Sequence, residues 1–190
     1  LRKLGVFDEP KSSRVLDLCC GHGEALEVMY ENGFRDLAGL DWEIDPKTAA
    51  DPRFRCLAGD ALNSNLADGT YDVITCLHSV HHFGTPDNVR KFMSEVSRLL
   101  KPGGRLYILD FENTIGLRTV LRVLRMNGRW PGIRYLKNLS TLIREEWPFL
   151  KTYLEQWGEI RECLNGGGFA SVGKTTTMFY FYLALRKPET

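Results

Sequence analysis

The segment that most constrains this chain is Arg14-Val15-Leu16-Asp17-Leu18, followed by Cys19-Cys20-Gly21-His22-Gly23 and then by Glu24 to Asn32. A short apolar run, a glycine-bearing turn and an amphipathic stretch read as a buried strand that passes through a tight turn into a helix. Ala25, Leu26, Val28 and Met29 mark the inner side of that helix, and Gly33 suits the left-handed residue past its end. A strand buried on both faces needs neighbours, and the pattern repeats. Further strands are predicted over Leu37 to Leu40, ending at Asp41; Phe54 to Ala58, ending at Gly59-Asp60; Tyr71 to Leu77, ending near His78; and Arg105 to Asp110. Between the last two, Thr85 caps a helix with Pro86 at its first position. Val89, Phe92, Met93, Val96, Leu99 and Leu100 recur at three and four residues until Lys101-Pro102-Gly103-Gly104 stops it. Tyr153, Trp157, Ile160 and Leu164 mark another helix, and about residues 170 to 186 read as a two-stranded hairpin. Strands alternating with helices specify βαβ units. The expected fold is one doubly wound α/β domain: a seven-stranded, mostly parallel sheet with helices on both faces and one antiparallel strand in the last pair.

Length and composition narrow the function. A chain of 190 residues with 43% apolar and 26% charged residues is neither disordered nor fibrous, and fits a single domain. Its apolar runs fall far short of the roughly 18 to 20 residues of a membrane-spanning helix. Five cysteines, Cys19, Cys20, Cys56, Cys76 and Cys163, are odd in number and form no C-x-x-C pair, so a reduced, cytoplasmic chain is expected. The chain begins at Leu1, as a trimmed or processed one does. A net charge of +1 argues against a broadly basic nucleic-acid binder. The distribution is uneven, however: Arg118, Arg122, Arg125, Arg129, Arg134, Lys137 and Arg144 lie in a stretch from Asn113 to Arg144 that holds no acid, so a basic insert sits on an acidic body.

In the turn at 19–23, missing side chains let a ligand approach the backbone and the helix N-terminus. A dinucleotide fingerprint would place a third glycine where Leu26 stands, and a phosphate-binding loop would need Gly-Lys-Ser/Thr, which does not follow. Asp41 ends the second strand 24 positions after Asp17, close to the roughly 20-residue spacing at which a carboxylate meets a ribose diol. Asp60 ends the third strand in the same way. Ligands of open α/β sheets bind beyond the carboxyl ends of strands, so three acids on one rim mark a nucleotide-like site.

With these motifs in order, the chain resembles the class I S-adenosylmethionine-dependent methyltransferases, in particular small-molecule enzymes such as those acting on quinone precursors. Val15 to Gly23, Leu37 to Asp41 and Ala58 to Ala61 look like the family's first three motifs; Tyr71 to Phe83 and Leu99 to Leu106 look like its fourth strand and the turn before its fifth. The resemblance implies a Rossmann-like sheet, S-adenosyl-L-methionine as cofactor and S-adenosyl-L-homocysteine as product. It implies that Gly21 and Gly23 approach the methionine part, with Cys19 where the family usually has its first glycine and Asp17 supporting the turn or reaching a water near the ammonium. Asp41 would hold the ribose hydroxyls, Trp42 pack on adenine, Asp60 accept from the adenine amino group, and the Ala61 amide address the ring. Leu77 and His78 would line the methionine side. Cys19 is tolerable if its position needs no positive φ, and the second crossover helix must be short.

Methyl transfer from a sulfonium is an in-line displacement with an activated leaving group, so positioning supplies much of the rate and a base is optional. For an acidic acceptor, His81 or His82 is the candidate base, with His78 a further candidate. No metal site is expected, since adjacent cysteines make no zinc knuckle and all four histidines fall in the turn or the fourth-strand segment. In the insert, Arg118, Arg122, Arg125 and Arg129 share one helical face opposite Leu117, Val120, Leu121 and Leu124. Three uses are open: a lid over the substrate, peripheral contact with an anionic membrane or acidic substrate, and nucleic acid as the least favoured. Trp130, Tyr135, Trp147, Phe149, Tyr153 and Trp157 are candidates for an aromatic or isoprenoid pocket or for core. The expected organisation of residues 1–190 is a cofactor core over about 13–110, a helical lid over about 112–150, and a C-terminal helix and hairpin over about 151–190. The expected activity is methyl transfer to a small-molecule O, C or N acceptor. The alternatives are a tRNA or other nucleic-acid methyltransferase using the basic insert, or a non-catalytic methyltransferase-like binding protein.

Overall fold

In a computed structural model describing residues 1–126 and 134–189, the predicted strands form β1 (Arg14–Leu18), β2 (Asp36–Asp41), β3 (Arg55–Ala58), β4 (Tyr71–Leu77), β5 (Leu100–Phe111), β6 (Ala170–Thr176) and β7 (Tyr180–Arg186). They join in one sheet of order β3-β2-β1-β4-β5-β7-β6. β1 to β5 run parallel, and β7 enters antiparallel between β5 and β6. The helices are α1 (Glu24–Glu31), α2 (Pro46–Ala49), α3 (Pro86–Leu99), α4 (Ile115–Met126), α5 (Arg134–Glu155) and α6 (Trp157–Asn165). No helix among the described residues is long and apolar enough to cross a membrane.

Strand alternation divides the core between the two faces of the sheet. Leu16, Leu18, Leu40, Ile74 and Cys76 point to the side covered by α3, α5 and α6. Val15, Leu37 and Val73 point to the side of α1, where Leu26, Met29 and Phe34 meet them. α3 forms as its sequence dictates: Thr85 Oγ1 accepts the Asn88 amide at 3.3 Å, Pro86 opens the helix, and Val89, Phe92, Val96 and Leu99 are fully buried. Gly39 of β2 lies on the α1 side, where a Cβ would come within 2.6 Å of Cys20 Sγ and 2.9 Å of Leu26 Cδ1. That missing side chain sets how closely the glycine turn and α1 approach the sheet.

Three expectations change. β5 starts at Leu100 rather than Arg105, because Leu100 already pairs with Tyr71 and the register shifts before Val73. The single helix expected through Tyr153 and Leu164 is two: α5 ends at Glu155, and Gln156 caps α6, so Tyr153 belongs to a different helix from Trp157, Ile160 and Leu164. In α4, Leu117, Leu121 and Leu124 are buried but Val120 is 39% exposed, at the border of the apolar stripe. Of the insert, Arg129 and Trp130 lie outside the described residues, as do the side chains of Arg134, Tyr135 and Lys137.

Candidate cofactor and active site

The carboxyl ends of β1, β4 and β5 converge on a cleft of about 680 Å³ lined by Asp17, Cys19, Gly21, Leu77, His78 and Leu109 among others. Cys19 and Cys20 amides both donate to the Leu40 carbonyl, at 2.7 and 3.2 Å, which bends the chain off β1. Bending so sharply puts Cys19 at φ 61°, in the left-handed region that favours glycine. The condition under which cysteine is well tolerated there is therefore not met. Gly21 and Gly23 are left-handed too, and Gly23 immediately precedes α1, where a Cβ would stand 2.8 Å from Thr48 Cγ2. At the end of β4, His78 also has a positive φ, 55°, held by its amide's 2.7 Å bond to the Leu109 carbonyl. Its ring meets Tyr180 and Phe111 edge to face, with centroids 5.2 and 6.0 Å away.

The strand-end acids differ in environment. Asp17 is 3% exposed and its Oδ1 accepts the Thr75 hydroxyl at 2.5 Å. Burial pushes its carboxyl up to about 7, against the opposing Thr75 bond and with help from the charges of Asp41 and Glu24. Asp41 Oδ2 accepts the Gly21 amide at 2.8 Å, tying the end of β2 to the glycine turn. Asp60 Oδ1 accepts the Leu62 amide at 2.8 Å. Trp42 is 75% exposed, with an open face for stacking, whereas the Ala61 side chain is core. The structure thus gathers Asp17, Cys19, Gly21, Leu77 and His78 around one cleft and joins Asp41 to it through Gly21. Trp42, Asp60 and Ala61 are not among the residues lining that cleft.

The histidine segment is a one-turn 3-10 helix, Val80–Phe83. His81 is buried, with Nδ1 at 2.8 Å from Asp110 Oδ1 and its amide donating to Asp110 Oδ2 at 3.0 Å. Burial lowers the basicity of His81, but the Asp110 and Glu146 carboxylates outweigh it and hold the ring above the usual histidine range. His82 is lowered by burial and by the charge of His81, and His78 chiefly by burial. His82 faces Phe149 of α5 at 5.1 Å between ring centroids; Phe149 is 45% exposed, while Tyr153 and Trp157 are core. Sequence reasoning missed Asp110 and Glu146. Asp110 carries the same signal as Asp41, an acid closing a predicted strand, but Glu146 comes from a distant helix and has no local signature.

Comparison with known proteins gives this arrangement its class. The chain matches the methyltransferase-domain family over residues 2–159 and belongs to it. A SAM-dependent methyltransferase from Methanosarcina mazei superposes with a TM-score of 0.65 at 16% identity, covering 96% of this chain and 95% of that one, so the fold is the Rossmann-like class I methyltransferase fold. Among relatives in sequence, a demethylmenaquinone methyltransferase of Corynebacterium urealyticum is 26% identical over 173 residues, which are 88% of this chain and 72% of that protein. One of Corynebacterium kroppenstedtii is 29% identical over 110 residues, 57% of this chain and 46% of that protein. The chain thus spans about half the length of several relatives that it matches.

Proposed function

We propose that the chain transfers the methyl group of S-adenosyl-L-methionine to a small-molecule O, C or N acceptor. The observation that carries this reading is the 2.8 Å bond from the Gly21 amide to Asp41, at the edge of a cleft lined by Asp17, Gly21, Leu77 and His78. One carboxylate oxygen orders the turn that faces the cofactor's methionine part, which leaves the other for the ribose diol. Trp42, exposed one residue on, is the adenine platform, with Asp60 and the Ala61 amide addressing the ring edge. Gly21, Gly23 and Cys19 form the backbone wall, and Leu77 and His78 close the methionine side. S-adenosyl-L-methionine supplies an electrophilic methyl on a sulfonium; the residues around it orient that carbon and exclude water.

The acceptor side lies below the insert. α5 packs on the 80–83 turn, and Phe149 and His82 offer an aromatic face beside an imidazole, which suits a planar or isoprenoid acceptor such as the quinone precursors of the relatives' names. His82, partly exposed and lowered toward the neutral form, is the better base of the two; His81 is engaged by Asp110 and positions the segment. The arginines favour a lid over nucleic acid: Arg125 lies 3.5 Å from the Trp147 ring centroid and Arg118 donates to Asn113 at 2.6 Å, so both are engaged within the protein.

Calorimetric titration of S-adenosyl-L-homocysteine into the chain and into Asp41→Ala tests the site. Loss of about 2 kcal/mol, roughly thirtyfold in Kd, is expected for the variant. A wild-type chain that folds and does not bind sinks the reading. One that binds but methylates no phenol, enol or quinone precursor supports the non-catalytic alternative.

A further inference from the structure

One aromatic ring away from the cleft, three lone-pair atoms converge. Asp110, fully buried at the end of β5, accepts the amides of His81 and Phe111, so it is the acceptor in its 2.8 Å contact with His81 Nδ1. A neutral His81 ring then carries its proton on Nδ1 and turns a bare Nε2 the other way. That Nε2 lies 3.6 Å from Glu146 Oε2, and His82 Nε2 lies 3.5 Å from the same oxygen. Glu146 Oε2 is itself buried and accepts no hydrogen bond. One ligand atom from each of the three residues lies within 4.8 Å of the other two.

Either a proton on an imidazole or a metal ion can sit between these atoms, and the distances distinguish the two. A shared proton would draw imidazole and carboxylate to about 2.7–2.9 Å, well inside either separation. Ligands held about 2.1 Å from one ion in tetrahedral geometry stand roughly 3.4 Å apart, close to both. We propose that His81, His82 and Glu146 bind a divalent transition-metal ion of the zinc class, with His82 serving as a ligand in that metal-bound form and as a base only in the metal-free one. Two imidazoles and one carboxylate leave a coordination position open, the ligand count of reactive rather than structural zinc sites. Asp110 supplies the outer support such sites use, fixing the tautomer and the ring orientation of His81. The cluster lies near the surface, with the His82 side chain 41% exposed, while Glu146 Oε2 is buried. This departs from the expectation of no metal, which weighed cysteine and histidine spacing alone and had no way to bring α5 across the histidine turn.

The assignment does not depend on methyl transfer and is tested by binding. The 190-residue chain, stripped with a chelator, is titrated with Co2+ as a visible reporter and then with Zn2+ in competition. One Co2+ per chain with an intense low-coordinate d–d spectrum, displaced by Zn2+, is expected. His82→Ala and Glu146→Gln change partly exposed side chains, so their far-UV circular dichroism should match wild type while Co2+ affinity falls at least tenfold and the band is lost. Co2+ that keeps its aqueous spectrum with the wild-type chain overturns the proposal. So does wild-type affinity in both variants, which would put the ion elsewhere, for instance at exposed His22 beside Asp45.

Discussion

Cys19 holds a left-handed conformation that costs a residue with a Cβ roughly 1–2 kcal/mol, and it does so where β1 turns into the cofactor cleft. Cys19→Gly should therefore stabilise the fold by about 1 kcal/mol and raise Tm by roughly 2–4 °C, while Cys19→Val, β-branched at the same φ, should lower it. Thermal melts of the two variants check both signs. The glycine turn was legible in the sequence, but its strain was not, because residue type does not report φ. Asp17 makes a second prediction. Its folded carboxyl titrates near 7 against an ordinary 3.8, so the folded state holds a proton that the unfolded state has released between those values. Its contribution to stability is complete below about pH 4 and is lost as pH rises through 7. Urea unfolding at pH 5 and pH 8 should show that slope in wild type and a flatter one in Asp17→Asn.

Among the elements, α3 is tied to the loop after β3 by Glu95, which accepts the Ser64 amide at 2.8 Å, the Ser64 hydroxyl at 2.5 Å and Arg98 at 2.6 and 3.0 Å. Arg98 chiefly, then Ser64, holds this carboxyl down at about 2 against the opposing effect of burial. The sign is opposite to that of Asp17: the stability it contributes is present above about pH 4.5 and is lost as pH falls through 2. Glu95→Gln should cost about 1–3 kcal/mol at pH 7 and much less near pH 2, read from urea midpoints. That loop follows Asp60 and Ala61, so the variant should also weaken S-adenosyl-L-homocysteine binding. Gly39→Ala should do so too, by pushing Cys20 and Leu26 off β2. At this scale the sequence was most informative where one face is apolar and the caps are local, as in α3 and β4. It was least informative where long-range contact decides: the break at Gln156 leaves no strong local signal, and the start of β5 depends on pairing with Tyr71.

Across the whole molecule, a mostly parallel, doubly wound sheet followed from βαβ alternation and the handedness of crossovers, whereas the strand order did not, since β4 pairs with β1 rather than with β3. The insertion of β7 between β5 and β6 does not follow from a hairpin pattern alone, since either hairpin strand satisfies it. The basic insert was legible as charge, but which arginines are engaged within the protein was not. Leu183, 2% exposed in β7, packs into the larger core, and Leu183→Ala should cost about 2–5 kcal/mol and lower Tm by roughly 5–15 °C. The place of β7 also bears on how the molecule is made. β5 is synthesised about seventy residues before the strand that pairs with it, and β6 emerges before the strand that joins it to the sheet. During translation β5 therefore waits with one open edge until the 180–186 segment leaves the ribosome, and only then does the sheet close. This late, long-range pairing makes the last step of folding the slow one, and the exposed β5 edge is where a stalled chain would meet a chaperone or another nascent copy.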